Sequence, residues 1–216
     1  MKIRNAEFGM RNGMGVLGLG AYVLGLVALA VASLQGVACS PLEDENTAGV
    51  KLTVLKITAT DAQGQASDWL ASDVVRIDPQ TGQATVREDT ATVDFRNDFL
   101  NPTIEPSPMN DVVVVRYRVE YSRPDGRNQP GVDVPRPFDA TTNIHVPING
   151  TGSGNIVVVP AKAKLEDPLW GLRFGGRERE ILAYALITFF GHDLFGRNVA
   201  TNARLEIHFA NWADQQ

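Results

Sequence analysis

The stretch of this chain that comes nearest to a catalytic signature is Gly150-Thr151-Gly152-Ser153-Gly154. A serine held on a strand-to-helix elbow needs glycine two residues before it and two residues after it, so that the backbone can turn sharply and present the hydroxyl. Those positions here are Thr151 and Asn155. The stretch also lacks the Lys-Ser/Thr pair with which a phosphate loop grips its anion. It reads as a flexible hairpin loop, and the glycosylation-type sequence Asn149-Gly150-Thr151 reads as part of its turn. The three histidines, His145, His192 and His208, are scattered. None forms the close pair that would put two imidazoles on one metal ion. Asp193 follows His192 and reads as a turn cap. Asp193 and Asp139 offer oxygen atoms, but no segment has the dense acidic spacing of a calcium loop. No metal and no cofactor is expected.

The one reactive side chain with a telling position is Cys39, the only cysteine of the chain. A single thiol excludes an intramolecular disulfide and any multi-cysteine metal site. Before it, Lys2, Arg4 and Arg11 precede the apolar run Val16–Leu34, and no further charge follows until Glu43. Positive charge ahead of an apolar run of this length is the pattern of an export signal. The run closes in Gly36-Val37-Ala38-Cys39-Ser40, small residues leading to the cysteine. Met10 and Met14 are alternative starts that would give a shorter signal.

These residues resemble a bacterial lipoprotein signal. Val37, Ala38 and Cys39 match the last three positions of the lipobox, and Gly36 stands where that family usually has leucine. The resemblance implies a diacylglycerol thioether on Cys39 followed by cleavage on its N-terminal side. Two acyl chains suffice for stable anchoring where one is marginal. Ordinary signal cleavage and an uncleaved membrane anchor are the other outcomes for the same run. The absence of aspartate after Cys39 implies, in a Gram-negative host, sorting to the outer membrane. The expected organisation is a signal over residues 1–38, a lipidated cysteine and flexible tether over 39–49, and a folded domain over 50–216. The tether, SPLEDENTAG after the cysteine, has too few apolar residues to fold.

The whole chain has 216 residues, with 20 Lys and Arg against 25 Asp and Glu. Removing residues 1–38 takes away Lys2, Arg4, Arg11 and Glu7, which leaves 17 basic and 24 acidic residues and a net charge of −7. That sign argues against nucleic acid as a partner, and against electrostatic docking on anionic headgroups.

Elements that could position any site show period-2 patterning, the mark of half-buried strands. Val113, Val115, Tyr117, Val119 and Tyr121 share one face, and Arg116, Arg118 and Glu120 the other. Ala91, Val93 and Phe95 alternate with polar residues, as do Ile144, Val146 and Ile148, and Ala203, Leu205, Ile207 and Phe209. Ile156–Val159 and Ile181–Phe190 are more continuously apolar and read as central strands buried on both faces, or nearly so. Lys51–Ala59 opens the set and Asp73–Ile77 adds a short edge segment. Turn signals fall at Pro79–Gly82, Pro124–Gly126, Asn149–Gly154 and Gly196–Asn198. The expected class is all-β, a sandwich of about seven or eight strands preceded by an apolar signal helix.

The order of strands and the last hairpin resemble a bacterial immunoglobulin-like or fibronectin-type-III-like domain. Tyr184-Ala185-Leu186-Ile187-Thr188 leads through Asp193-Leu194-Phe195-Gly196 to Asn198, with Arg197 inserted between the glycine and the asparagine. The resemblance implies an antiparallel immunoglobulin-like sandwich. Tyr184 would then be either a tyrosine corner or a plain core tyrosine.

Two loop regions stand out. Tyr121–Phe138 holds four prolines, and Leu165–Glu180 holds Trp170 and Phe174 beside Arg173, Arg177 and Arg179. Aromatics with arginine are the composition of a contact patch, so Trp170, Arg173, Phe174 and Arg177 are the candidate contact residues. The competing reading makes Trp170 a plug in the bottom of the sandwich. The function expected is that of a non-catalytic binding or structural module, held to the membrane by lipid on Cys39 and contacting an unknown protein or cell-envelope component. The alternative is an accessory domain or hydrolase-like enzyme whose site is assembled from distant residues. Cys39→Ala is expected to abolish acyl labelling and release the protein into the soluble fraction; unchanged acyl incorporation in this variant would refute the lipidation reading.

Overall fold

The structure is a computed structural model, and it describes residues 47–212 apart from Pro79 and residues 174–178. The expected signal, Cys39 and most of the tether therefore lie outside the described residues, as do Phe174 and Arg177.

Two sheets pack face to face as a β-sandwich-like domain. The first contains β1 (Val50–Thr60), β2 (Ala66–Ser67), β6 (Asp89–Phe99) and β9 (Thr151–Val159), in the order β2-β1-β6-β9. The second contains β3 (Trp69–Asp73), β7 (Val112–Ser122), β8 (Phe138–Val146), β10 (Glu180–Asp193) and β11 (Asn198–Ala210), in the order β3-β11-β10-β7-β8. A small separate hairpin joins β4 (Arg76–Ile77) to β5 (Ala84–Thr85). Eight of these strands have five residues or more, in line with the sequence reading. The sheets are not wholly antiparallel, because β3 runs parallel to β11. That pairing is hidden in the sequence: β3 is short, and Ser72 occupies one of its two fully buried positions beside Leu70.

The core is built where the two inner faces meet. Phe95 of β6 and Phe189 of β10 meet edge to face, 4.9 Å between centroids at 90°. Val93, Val114, Val119, Val158, Ile187 and Ile207 fill the space around them with no exposure. Each such side chain contributes on the order of 1.5–3 kcal/mol relative to remaining in water. Two tyrosines of β7 close one side. The Tyr117 hydroxyl donates to the Val157 carbonyl at 3.1 Å and accepts from the Val157 N–H at 2.9 Å; the Tyr121 hydroxyl donates to the Val158 carbonyl at 2.6 Å. β9 is an edge strand, and the Tyr117 hydroxyl answers a donor and an acceptor there that a neighbouring strand would otherwise take. Burial raises both phenols above their ordinary pKa. Tyr184, the expected tyrosine corner or core residue, instead lies half-buried on the outer face with Arg204 over its ring.

The alternation in β7 changes phase part-way. Against β10, Arg116 pairs with Phe190 and Val114 with Gly191, leaving Val115 as an extra residue. This β-bulge puts Val112 and Val114 inside and turns Val115 out, at 38% exposure. The expected face Val113–Val115–Tyr117 is therefore wrong in its first two members: the extra residue flips everything before it. β1 has the same device between Val54 and Lys56, which exposes Leu55. Gly191 is glycine because a Cβ there would stand 2.5 Å from the Val113 carbonyl oxygen. The expected loop Thr151–Gly154 is likewise strand, the start of β9. Its glycines answer to close packing on β8, since a Cβ at Gly152 would lie 2.3 Å from the His145 carbonyl oxygen. The run in β10 is also not buried on both faces, for Leu186 is 42% exposed.

The strand ends define two poles. At the near pole β1 begins, β6 ends and the β10–β11 hairpin turns; here the chain enters the domain. Thr47 and Ala48, on the tether side of the expected boundary, donate their N–H groups to the Asn198 carbonyl. The Thr47 hydroxyl oxygen accepts from the Asn198 N–H at 2.9 Å. The hairpin itself is held by Asp193, which is fully buried. Its carboxylate accepts from the Phe195 and Arg197 N–H groups and from the Arg197 guanidinium. Asp193 is thus a turn cap, and the inserted Arg197 serves to neutralise it. Eleven-residue β6 separates the poles by roughly 35 Å at about 3.3 Å per residue.

Val114→Asp is expected to cost several kcal/mol, enough to unfold a domain of ordinary stability, whereas Val115→Asp costs no more than about 0.5 kcal/mol. Urea denaturation of the two variants checks this; equal midpoints would show that the bulge is misplaced.

Candidate functional site

The far pole carries the two loops singled out by composition, and the fold brings them together. β9 stops at Pro160, which supplies no N–H to extend the ladder. The chain then forms two single-turn helices, α1 (Ala161–Lys164) and α2 (Leu169–Leu172), before β10. In α2, Leu169 and Leu172 lie three residues apart on one face and are buried, at 0% and 4% exposure. Trp170 is turned away from that face and is 39% exposed. The residues that plug this end are therefore the two leucines, and Trp170 stands at the surface. The Arg173 guanidinium lies over its ring, and Arg173 Nε–H donates to the Trp170 carbonyl at 3.2 Å.

The opposite wall comes from the proline-rich loop after β7. Arg123, nearly buried, makes a two-pronged pair with Asp125, at 3.1 Å from Nε and 2.7 Å from Nη2. Asp125 also takes the guanidinium of Arg127, and these arginines hold its carboxyl far below the usual carboxylate range. The Gln129 carbonyl gathers the N–H groups of Val132, Asp133 and Val134, and Gly131 N–H closes on the Val134 carbonyl at 2.7 Å. Gly131 has φ +76°, and a Cβ there would meet the Arg136 guanidinium at 2.8 Å. The turn thus sets Arg136 in place.

Between the walls lies an open groove of about 410 Å³, lined by Gly131, Arg136, Leu165, Glu166, Asp167 and Trp170. A second hollow of about 270 Å³ continues it past Pro135, Pro137, Phe138 and Pro160, and shares Arg136, Glu166 and Asp167. Arg136 and Glu166 face each other across the groove at 4.0 Å. The volume falls in the range of small-ligand sites. An aromatic face, rigid prolines and a guanidinium beside carboxylates offer stacking and charge-assisted hydrogen bonds, which is the chemistry of holding a ligand. Of the expected patch, the fold joins Trp170 and Arg173, while Phe174 and Arg177 lie outside the described residues. Arg136, Glu166 and Asp167 escaped the sequence reading, because nothing local distinguishes them from solvated loop charges.

Beneath the groove is a buried ion pair that the sequence also concealed. Lys164 is 1% exposed; its ammonium donates to Asp89 Oδ1 and to the Asp73 carbonyl, each at 2.8 Å. Ser72, fully buried, donates to Asp89 Oδ2 at 2.6 Å. Burial pushes the Asp89 carboxyl up, against the pull of Lys164 and Ser72. On the neighbouring outer face, His208 lies between Glu180 and Glu206, at 2.5 and 2.8 Å from its two ring nitrogens, and against Trp69. Burial opposes its charge, but the hydrogen bonds to Glu206 and Glu180 prevail and raise its pKa. Asp139 is taken up by Arg116 and Arg118, and His145 by Asp111. Among the described residues no three His, Cys, Asp or Glu side chains are grouped to hold a metal ion.

No protein-family model matches the chain, and no curated protein matches its sequence.

Lys164→Ala is expected to lose about 3–5 kcal/mol, since Asp89 keeps its burial without its cation. Replacing both, as Lys164→Met with Asp89→Leu, is expected to restore most of that loss in urea melts. A double variant as unstable as the single one would show that the pair is not the source of the stability.

Proposed function

We propose that this protein is an extracytoplasmic lipoprotein, anchored through Cys39, whose immunoglobulin-like sandwich acts as a non-catalytic binding module at its far pole. The single observation that carries the binding role is the exposed Trp170, set by buried Leu169 and Leu172 at the rim of a groove that two separate loops build around Arg136. Large aromatics beside arginine are the residues that dominate contact energy when a partner covers them. The immunoglobulin-like reading is supported by topology: β1, β6 and β9 stand in the order of strands A, B and E, and β11, β10, β7 and β8 in the order G, F, C and C′. The envelope address is supported by the basic N-terminus, the apolar run and Cys39. The partner is a protein or cell-envelope component, and in a Gram-negative host the anchor is in the outer membrane.

Trp170→Ala in the full-length protein is expected to abolish crosslinked partner capture from membranes with the melting curve unchanged. Leu169→Ala, by contrast, is expected to cost about 2–5 kcal/mol of stability. Undiminished capture by Trp170→Ala, or turnover by the purified protein in a broad hydrolase screen, would overturn the reading.

A further inference from the structure

The near pole carries a second apolar surface that the groove does not use. Leu100, Ile104, Met109, Leu194 and Phe195 are 58, 60, 41, 44 and 57% exposed. They come from just two segments, the loop between β6 and β7 and the turn of the β10–β11 hairpin. The two are joined directly, because the Leu194 N–H donates to the Met109 and Asp111 carbonyls at 3.1 Å. Prolines 102, 106 and 108 and the Ser107–Asn110 capping box stiffen the loop that presents three of the five. Leu55 and Val115, by contrast, are exposed at bulges, and Leu165 and Trp170 line the groove.

The chain enters the domain in the middle of this surface. The Leu100 N–H donates to the Gly49 carbonyl, and Thr47 is bonded to Asn198 beside the hairpin turn. Eight residue steps separate Cys39 from Thr47. At about 3.3–3.6 Å per residue they span at most about 29 Å, less than the length of the sandwich.

We infer that the near pole is a lipid-contact rim, on which Leu100, Ile104, Met109, Leu194 and Phe195 dip into the bilayer interface while the short tether holds the pole down. This rests on the proposed anchoring at Cys39. An exposed apolar cluster beside a membrane attachment is covered by the phase that the attachment brings to it. Arg96 and Arg197 near the rim are already paired, with Asp98 and Asp193, while Glu105 in the rim loop and Glu43, Asp44 and Glu45 of the tether sequence are acidic, so attraction to anionic headgroups does not draw this pole down. Insertion therefore depends on apolar contact, and zwitterionic lipid suffices. The rim then points the groove away from the membrane.

The native tryptophans supply the control, since Trp69, Trp170 and Trp212 all belong to the far half of the domain. The full-length, processed protein is reconstituted in phosphatidylcholine vesicles whose acyl chains carry bromine near the headgroup. Phe195→Trp and, separately, Ile104→Trp are expected to lose their added fluorescence, while wild type and the far-pole variant Val132→Trp keep theirs. If Cys39 is acylated and the protein is vesicle-bound, but neither rim variant is quenched, the rim is overturned and the anchor stands. If mass analysis finds no acyl group on Cys39, the anchoring reading falls and the rim with it. A concentration-dependent dimer that Phe195→Ser dissolves would assign the surface to a second copy and overturn the inference.

Discussion

Lys164 carries an ammonium group to a place where only 1% of it meets solvent, and three parts of the fold are arranged around the answer to that charge. Asp89 opens β6 in the first sheet, the Asp73 carbonyl closes β3 in the second, and Lys164 itself sits in the connection that carries the chain from β9 to β10. An isolated buried ammonium would cost several kcal/mol, a large share of what holds a domain folded. The pair therefore ties both sheets and their crossover to one geometry. Ser72 completes it by taking the second carboxylate oxygen, so that the buried acid is satisfied at both ends. The parallel strand β3 brings Ser72 and the Asp73 carbonyl beside the pair.

The same pin fixes the candidate site. α1 holds Lys164 inward and so turns Lys162 outward, where its side chain is 85% exposed and faces Glu166 at 3.7 Å. α2 then seats Leu169 and Leu172 against the core and leaves Trp170 facing the groove. The opposite wall is braced independently by Arg123 and Asp125. Two separately braced walls are the pre-organisation that the proposed binding role calls for, because a site already in shape loses less entropy when it is filled.

Much of the sandwich was legible because burial on one face writes itself into alternation. Ala91, Val93 and Phe95, and Leu205, Ile207 and Phe209, are inward as their spacing implies. What misled the reading was local. A bulge at Val115 inserts one residue and reverses the phase, and valine at both 114 and 115 leaves no polar residue to mark the switch. Gly152 and Gly154 look like a loop but are strand positions stripped of side chains to clear β8. Lys162 and Lys164 are indistinguishable in the sequence, yet one is solvated and the other is buried. Trp170 was visible as a candidate; its groove was not, because Arg136 and Glu166 are thirty residues apart and meet only through the fold.

Under the proposed anchoring at Cys39, the Tyr117 hydroxyl on the edge of β9 has a bearing on life at a surface. Proteins tethered to a bilayer diffuse in two dimensions, and at a given copy number they meet far more often than in a volume. An open strand edge in such a population is an invitation to templated, end-on-end polymerisation. At Val157 a single phenol occupies both the donor and the acceptor that an incoming strand would need for its first paired register. One oxygen atom from the opposite sheet thus occupies the pairing groups of Val157, a block to strand addition at that point of the edge that would matter most among crowded neighbours.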